Sequence, residues 1–147
     1  MRLSTKMRYG TRGMLDLALH FGQGPQSLAS IAERQDLSVK YLENLLGALR
    51  VAALVRSLRG AQGGYELARH PRQITLRDLY EVLEGPEGFA PCTPPGPPCL
   101  RQDDCVTHDI WGQMFEAAMQ VLSSTTLADL ARQYTTRESA WQVMYEI

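Results

Sequence analysis

Residues 38–69 read SVKYLENLLGALRVAALVRSLRGAQGGYELAR, and the order of elements in this stretch decides the fold. Ser38 is placed to cap a helix in which Leu42, Leu45, Leu46 and Leu49 recur at intervals of three and four and form one apolar stripe. Lys40, Tyr41, Glu43, Asn44 and Arg50 are left to project elsewhere. Directly after it, LVRSLRGAQGGYELAR gives a strand, a turn carrying Gly60, Gly63 and Gly64, and a second strand, which is a hairpin. Upstream, Leu28, Ile31 and Ala32 make a short helix capped by Ser27, with Gln35-Asp36-Leu37 as the turn into the next. A helical hairpin within a bundle would show the same leucines. The strand pair standing immediately behind the second helix argues instead for a winged helix-turn-helix.

In such a unit the N-terminal end of the second helix meets base edges, and Ser38, Lys40, Tyr41, Glu43 and Asn44 supply mixed donors and acceptors there, with Arg50 further along. Arg56, Arg59 and Gln62 lie on the wing, where phosphate or a narrow minor groove would attract them. Gly63-Gly64 is not a phosphate-cradling loop, because neither a lysine-serine pair nor a helix start follows it. Working outward, a helix is predicted from Ser4 to about Phe21 on the spacing of Met7, Met14, Leu15, Ala18 and Leu19, and Gly22 to Pro25 break it. Arg8 and Arg12 keep to its other faces, within reach of phosphate or simply solvated. On the far side Thr75-Leu76-Arg77-Asp78 is a capping box for a helix to about Leu83, ended by Gly85-Pro86. Residues 1–72 hold eleven Lys+Arg against five Asp+Glu, and residues 73–147 hold four against eleven, so a net charge of −1 conceals a basic and an acidic half. The basic half suits a polyanion, double-stranded DNA above all.

All three cysteines fall in CTPPGPPCLRQDDCVTH, residues 92–108, spaced Cys-x6-Cys-x5-Cys-x2-His. TPPGPP can become neither helix nor inner strand, so three thiols gathered on such a backbone point to something that draws them together. Spacing alone leaves three readings open. Zinc accepts three cysteines and a histidine but usually uses close pairs, iron–sulfur clusters tolerate wider loops, and two thiols could form a metal-free redox switch. The odd cysteine count and an N-terminus without an apolar run predict a cytoplasmic protein. No apolar stretch approaches a membrane span, so no membrane partner is expected. Beyond the loop, Ile110, Trp111, Met114, Phe115, Ala118 and Leu122, with Val121, form a broad apolar stripe on a helix capped by Thr107. A second copy of that helix would cover it and give a homodimer; packing back over the first helix is the other reading, and the two are compatible. Thr126 then opens a short helix, and RESAWQVMYEI at the end is either a last helix or a frayed tail. The predicted division is residues 1–84 for DNA binding, 85–107 for the loop, 108–135 for the dimerisation helix and the short helix, and 136–147 for a C-terminal tail.

MRLSTKMRYGTRGMLDLAL at the start, the stretch from Ser38 to Arg69, the cysteine loop and CVTHDIW together resemble the IscR branch of the Rrf-two family of bacterial transcription regulators, over residues 1 to about 130. The resemblance implies a mainly α protein with a small β-hairpin wing and a long dimerisation helix. It also implies a 2Fe-2S cluster held, residue by residue, by Cys92, Cys99, Cys105 and His108, which puts iron–sulfur ahead of zinc or no metal. One neutral imidazole among thiolates makes a cluster sensitive to protonation. The first cysteine interval is six residues here where the branch usually has five, and it is rich in proline. The nitric-oxide-sensing NsrR branch uses an aspartate of the first helix as a ligand, where this chain has Arg8. The CymR branch shares the DNA-binding half but lacks the three-cysteine loop and is expected to match less well. The implied function is a cluster-sensing, DNA-binding transcription regulator of iron–sulfur assembly or of sulfur and redox stress. The alternatives are a metal-free thiol-redox regulator, a zinc-containing one and, less so, an electron-transfer protein. No phosphate loop, nucleophile–base spacing or cofactor fingerprint marks an enzyme.

Overall fold

Three serines start the first three helices, as their positions before apolar-periodic segments predict. In the computed structural model, which describes residues 3–85, 90–93 and 96–145, Ser4 Oγ accepts from the Met7 amide at 3.2 Å, Ser27 from Ser30 at 3.1 Å and Ser38 from Tyr41 at 3.1 Å. These bonds satisfy amides that a helix N-terminus otherwise leaves open. The helices are α1 (Thr5–Leu19), α2 (Leu28–Gln35) and α3 (Val39–Val51). Asp36 ends α2 in the left-handed region at φ 51°, a conformation that Asp tolerates better than most side chains. The leucine stripe of α3 is buried, and Met14, Ile31, Leu42, Leu46 and Leu49 are wholly enclosed where the three helices meet. Gly13 lets α1 come close, since a Cβ there would stand 3.0 Å from Leu42 Cδ1. The inner face of α1 differs in part from the predicted one: Leu17 is buried, while Leu15 and Leu19 are half-buried.

One buried charge sits among these apolar groups. Asp16 is 1% exposed, and its carboxylate accepts two bonds from Arg34, Nε at 2.9 Å and Nη2 at 2.7 Å, and a third from Gln35 Nε2 at 3.1 Å. His20 Nδ1 stands 3.5 Å from the same carboxylate. The hydrogen bonds that Arg34 donates to Asp16 make it hold its proton more firmly than usual, against the desolvation that opposes it. Asp16 thereby pins α2 to α1.

Strands β1 (Val55–Leu58) and β2 (Gly64–Leu67) form the antiparallel wing, with Val55 opposite Leu67 and Arg56 opposite Glu66. Two further bonds of 2.8 Å each join Gln26 and Tyr65 through their backbones, so the residue before Ser27 extends the wing by one bridge. This approach explains Gly64: a Cβ there would lie 2.3 Å from the Gln26 carbonyl oxygen.

The C-terminal half is built on a repeated signal. Thr75 opens α4 (Leu76–Leu83) with the predicted capping box, and Thr126 opens α6 (Leu127–Tyr145) in the same way, its hydroxyl accepting from Asp129 N at 3.2 Å while Asp129 Oδ2 accepts from Thr126 N at 2.9 Å. The two starts pair with each other: Leu76 N–H reaches Thr125 O, and Leu127 N–H reaches Ile74 O, both at 2.9 Å. Between them α5 (Val106–Ser124) packs on α4, while α6 lies on α1. The intramolecular packing of α5 is therefore on α4 and not over α1, where α6 lies instead. Thr107 is not the cap of α5: Cys105 holds that position without a side-chain cap bond, and Thr107 lies in the first turn.

The predicted short helix and tail are one helix as far as Tyr145. Thr135, Thr136 and Ser139 turn their hydroxyls back onto the carbonyls of Ala131, Arg132 and Thr135 at 2.9–3.0 Å, so they do not compete for the backbone and the helix passes through them. Pro86, foreseen as a helix stop, and Pro94 and Pro95 of the loop lie outside the described residues. Among the described residues no helix is long and apolar enough to cross a membrane.

Replacing Asp16 by Ala leaves Arg34 without its buried partner, and the cost should be about 3 kcal/mol, near the low end for breaking a buried pair because a third of Arg34 already reaches water. Urea unfolding of the single and double variants checks this: Asp16→Ala/Arg34→Ala should lose clearly less than the two single losses added, and strict additivity would contradict the pairing.

Candidate nucleic-acid interface and cysteine loop

The N-terminal half of α3 presents Ser38, Lys40, Glu43 and Asn44 to solvent, while its leucines hold it from behind. Two of the predicted residues are also committed structurally. The Ser38 hydroxyl is occupied in capping, and Tyr41 is half-buried, its ring meeting Tyr9 of α1 edge-on at 6.1 Å. Tyr9 is the residue that sequence reasoning missed. Arg8 and Arg12 each lie over its ring, at 5.7 and 5.6 Å from the centroid, so two cations and two aromatic rings stack beside the start of α3. Arg12 also bonds to the Gln35 carbonyl oxygen. The one available signal was the spacing of Arg8 and Arg12, a single helical turn apart on either side of an aromatic residue.

On the wing, Arg59 and Gln62 are exposed at the tip. Arg56 is not a free cation: its Nε donates to Glu66 Oε1 at 2.6 Å, its opposite number in the register. Arg50 Nη1 donates to Ser57 Oγ at 3.2 Å and so ties the end of α3 to β1. Lys40, Arg59 and, over the Tyr9 ring, Arg8 are exposed cations of this surface beside Arg12, Arg50 and Arg56, which are bonded to Gln35, Ser57 and Glu66, and Glu43 is an acid among them.

Cys92, Cys99 and Cys105 are free, half-exposed thiols. Before the second of them the backbone turns on Thr93, which is fully buried and donates to Ala90 O through both N–H and hydroxyl, at 3.0 and 2.9 Å. At the other end a single turn of 3-10 helix, Gln102–Asp104, leads into Cys105 at the start of α5. Cys105 Sγ lies 3.2 Å from Thr107 Oγ1, and that hydroxyl, with the backbone amide of His108, lowers the thiol's pKa below the ordinary value. The adjacent acids Asp103 and Asp104 do not prevent this. His108 is mostly buried, with Nδ1 3.4 Å from Asp109 Oδ1.

Three thiols and an imidazole are the donor chemistry that an iron–sulfur cluster takes. The structure brings Cys105 and His108 onto one helical turn. Among the described residues no three His, Cys, Asp or Glu side chains converge to hold a metal ion. Along α5, Ile110, Trp111 and Met114 are 50%, 41% and 43% exposed, whereas Phe115, Leu122 and Ala118 are partly buried on the α4 side.

Known proteins were compared with this geometry. The family model Rrf2, described as an iron-dependent transcriptional regulator, matches residues 3–133. Protein rrf2 of Nitratidesulfovibrio vulgaris is 44% identical over 90% of this chain and 88% of its own. The solved structure of CymR, the global cysteine regulator of B. subtilis, superposes with a TM-score of 0.79 at 43% identity, covering 90% of this chain and 98% of that one. T. potens IscR gives 0.76 at 47% identity, covering 91% and 88%. CymR therefore matches about as well as IscR, contrary to expectation, and overall likeness does not separate the two branches. With a wing, a solvent-facing second helix and relatives named as transcription regulators, the chain belongs to the Rrf2 family of DNA-binding transcriptional regulators.

Proposed function

We propose that this regulator works as a homodimer whose reading of double-stranded DNA depends on whether an iron–sulfur cluster occupies its cysteine loop. The observation that carries the proposal is the placement of three free thiols on the segment joining the DNA-binding half to α5, with Cys105 at the N-cap position of α5 and His108 in its first turn. Cys92, Cys99, Cys105 and His108 would hold a 2Fe-2S cluster, which when bound supplies a cross-link between loop and helix that oxidation or acid can remove. The likeness to IscR supports iron–sulfur assembly, or sulfur and redox stress, as the regulated functions. Protein purified without oxygen should contain iron and acid-labile sulfide, and Cys105→Ala should lose both. Stoichiometric zinc without sulfide would overturn the cluster.

A second reading is favoured by one observation, that the four donors do not converge while the CymR likeness spans nearly the whole chain. It is a regulator of the same family without a cluster, reading thiol state or a structural zinc. The iron and sulfide measurement separates the two.

The dimer is supported by the solvent-facing row Ile110, Trp111 and Met114, an apolar strip that a second copy of α5 would cover. Trp111→Ala should weaken association by ~3 kcal/mol if the ring is buried between copies. Sedimentation would then find monomer at concentrations where the parent is a dimer; unchanged association of Ile110→Ala/Trp111→Ala points to another face.

Residue roles on DNA divide by chemistry. Arg59 at the wing tip and Arg8 on α1 suit phosphate, and neutralising Arg59 should weaken all sequences alike and reduce the salt slope by about one unit. Lys40, Glu43 and Asn44 suit base edges, where an acid costs affinity unless it accepts from a cytosine amino group. Glu43→Ala should accordingly relax sequence preference more than it lowers affinity. A panel of single-base substitutions at several salt concentrations distinguishes these effects. Uniform weakening by Glu43→Ala, or a changed preference with an unchanged salt slope in Arg59→Ala, contradicts the division.

A further inference from the structure

Where the chain leaves α4 for the cysteine loop, it is tied to the first described turn of the molecule. Glu84 is the residue after α4; its N–H still donates to Tyr80 O at 2.9 Å, and its Oε1 accepts the Ser4 N–H at 2.8 Å, across eighty positions of sequence. Ser4 caps α1, with its hydroxyl on the Met7 amide and its carbonyl oxygen accepting from Arg8 N–H at 3.2 Å. No acid lies in the first turn of α1, so Glu84 brings from another helix the negative charge that a helix N-terminus favours. On one side of Glu84, Leu83 closes on α1 so tightly that a Cβ on Gly10 would lie 2.4 Å from its Cδ1. On the other, Gly85 takes φ 87°, a left-handed turn, at the start of the loop.

We infer that Glu84 is a positioning residue that couples the state of the cysteine loop to the first turn of α1, and through Tyr9 to Tyr41 on the recognition helix. The inference rests on the reading of that loop as the sensing element. The start of α4 is fixed by its capping box and by the pairing of its first residues with those around Thr125 and Thr126. Its other end passes through Glu84, the cap residue, and Gly85 into the loop, so Glu84 lies on the path by which a change in the loop reaches α4. Loss of the Glu84 bond removes from α1 both a partner for Ser4 N–H and a compensating charge, while the core still holds the remainder of the helix. The first turn then opens locally; it carries Arg8 and leads directly into Tyr9.

Hydrogen exchange of the peptide spanning residues 3–10 in the full chain tests this. The loop is altered in two independent ways: by anaerobic reconstitution with ferrous iron and sulfide, and, without any metal, by capping the three thiols with iodoacetamide. In the parent, exchange of this peptide should change by about threefold or more on at least one treatment, in the manner of a local opening. In Glu84→Ala the response should vanish, whereas Glu84→Gln, whose amide oxygen can still accept from Ser4, should keep most of it. A purely stabilising role would alter the baseline and leave the response in place. Indifference of the parent to both treatments, or a full response in Glu84→Ala, overturns the coupling. A response to thiol capping in protein that takes up no iron supports the coupling and removes only the cluster reading.

Discussion

A single carboxylate, Asp16, organises the half of the chain that holds α1, α2, α3 and the wing. Burying a charge costs several kcal/mol unless it is paired and hydrogen-bonded, so a fold that encloses Asp16 must bring partners to it from every side. Arg34 comes from α2, and its second nitrogen goes on to Gln26 Oε1 at 3.1 Å, the residue whose backbone pairs with Tyr65 of the wing. Gln35 comes from the end of the same helix and also meets Arg12, whose guanidinium lies over Tyr9 beside Tyr41. One arm of the network thus sets the wing and the other sets the aromatic and cationic stack against α3. Apolar packing supplies most of the stability, but it is non-directional. The ion network contributes direction, holding the wing and α3 at fixed positions around one helix.

The C-terminal half solves a different problem. Two Thr-Leu-x-Asp starts, at Thr75 and Thr126, pair back to back, so α4 and α6 leave from one point and α5 returns to it. The C-terminal end of α5 is therefore fixed to the body. Its N-terminal end carries the last cysteine, His108 and the exposed row from Ile110 to Met114. A helix fixed at one end, with Cys105, His108 and the proposed dimer contact at the other, can relate loop and partner without rearranging the core. The charge division follows the same line, the basic excess lying with the wing and helices that would meet DNA and the acidic excess with the loop and α4, α5 and α6.

Much of this was legible in the sequence because it rests on local signals. Capping serines, the leucine stripe of α3, the glycines of the wing and the capping box at Thr75 each announce themselves within a few residues. Asp16 did not, since an isolated acid in an apolar helical pattern reads as a surface residue until Arg34 is known to lie across from it. The pairing of Arg56 with Glu66 depends on the register of the hairpin, which the loop length alone did not state. RESAWQVMYEI offered a helix or a frayed tail equally, because nothing local shows that the hydroxyls of Thr135 and Thr136 bond back along the helix and let it continue. At the cysteine loop the sequence supplied donor types and spacing. Whether those donors converge depends on a Pro-rich path with no periodicity to read.

The central claim is that the occupied and empty loops read DNA differently, and the binding of one DNA panel by one protein sample, before and after removal of iron and sulfide, tests it most directly. The account predicts that affinity for the preferred site, measured without oxygen at fixed salt, changes by about tenfold or more, ~1.4 kcal/mol, or that the preferred sequence itself changes. Equal affinities and the same preference in both forms would contradict it.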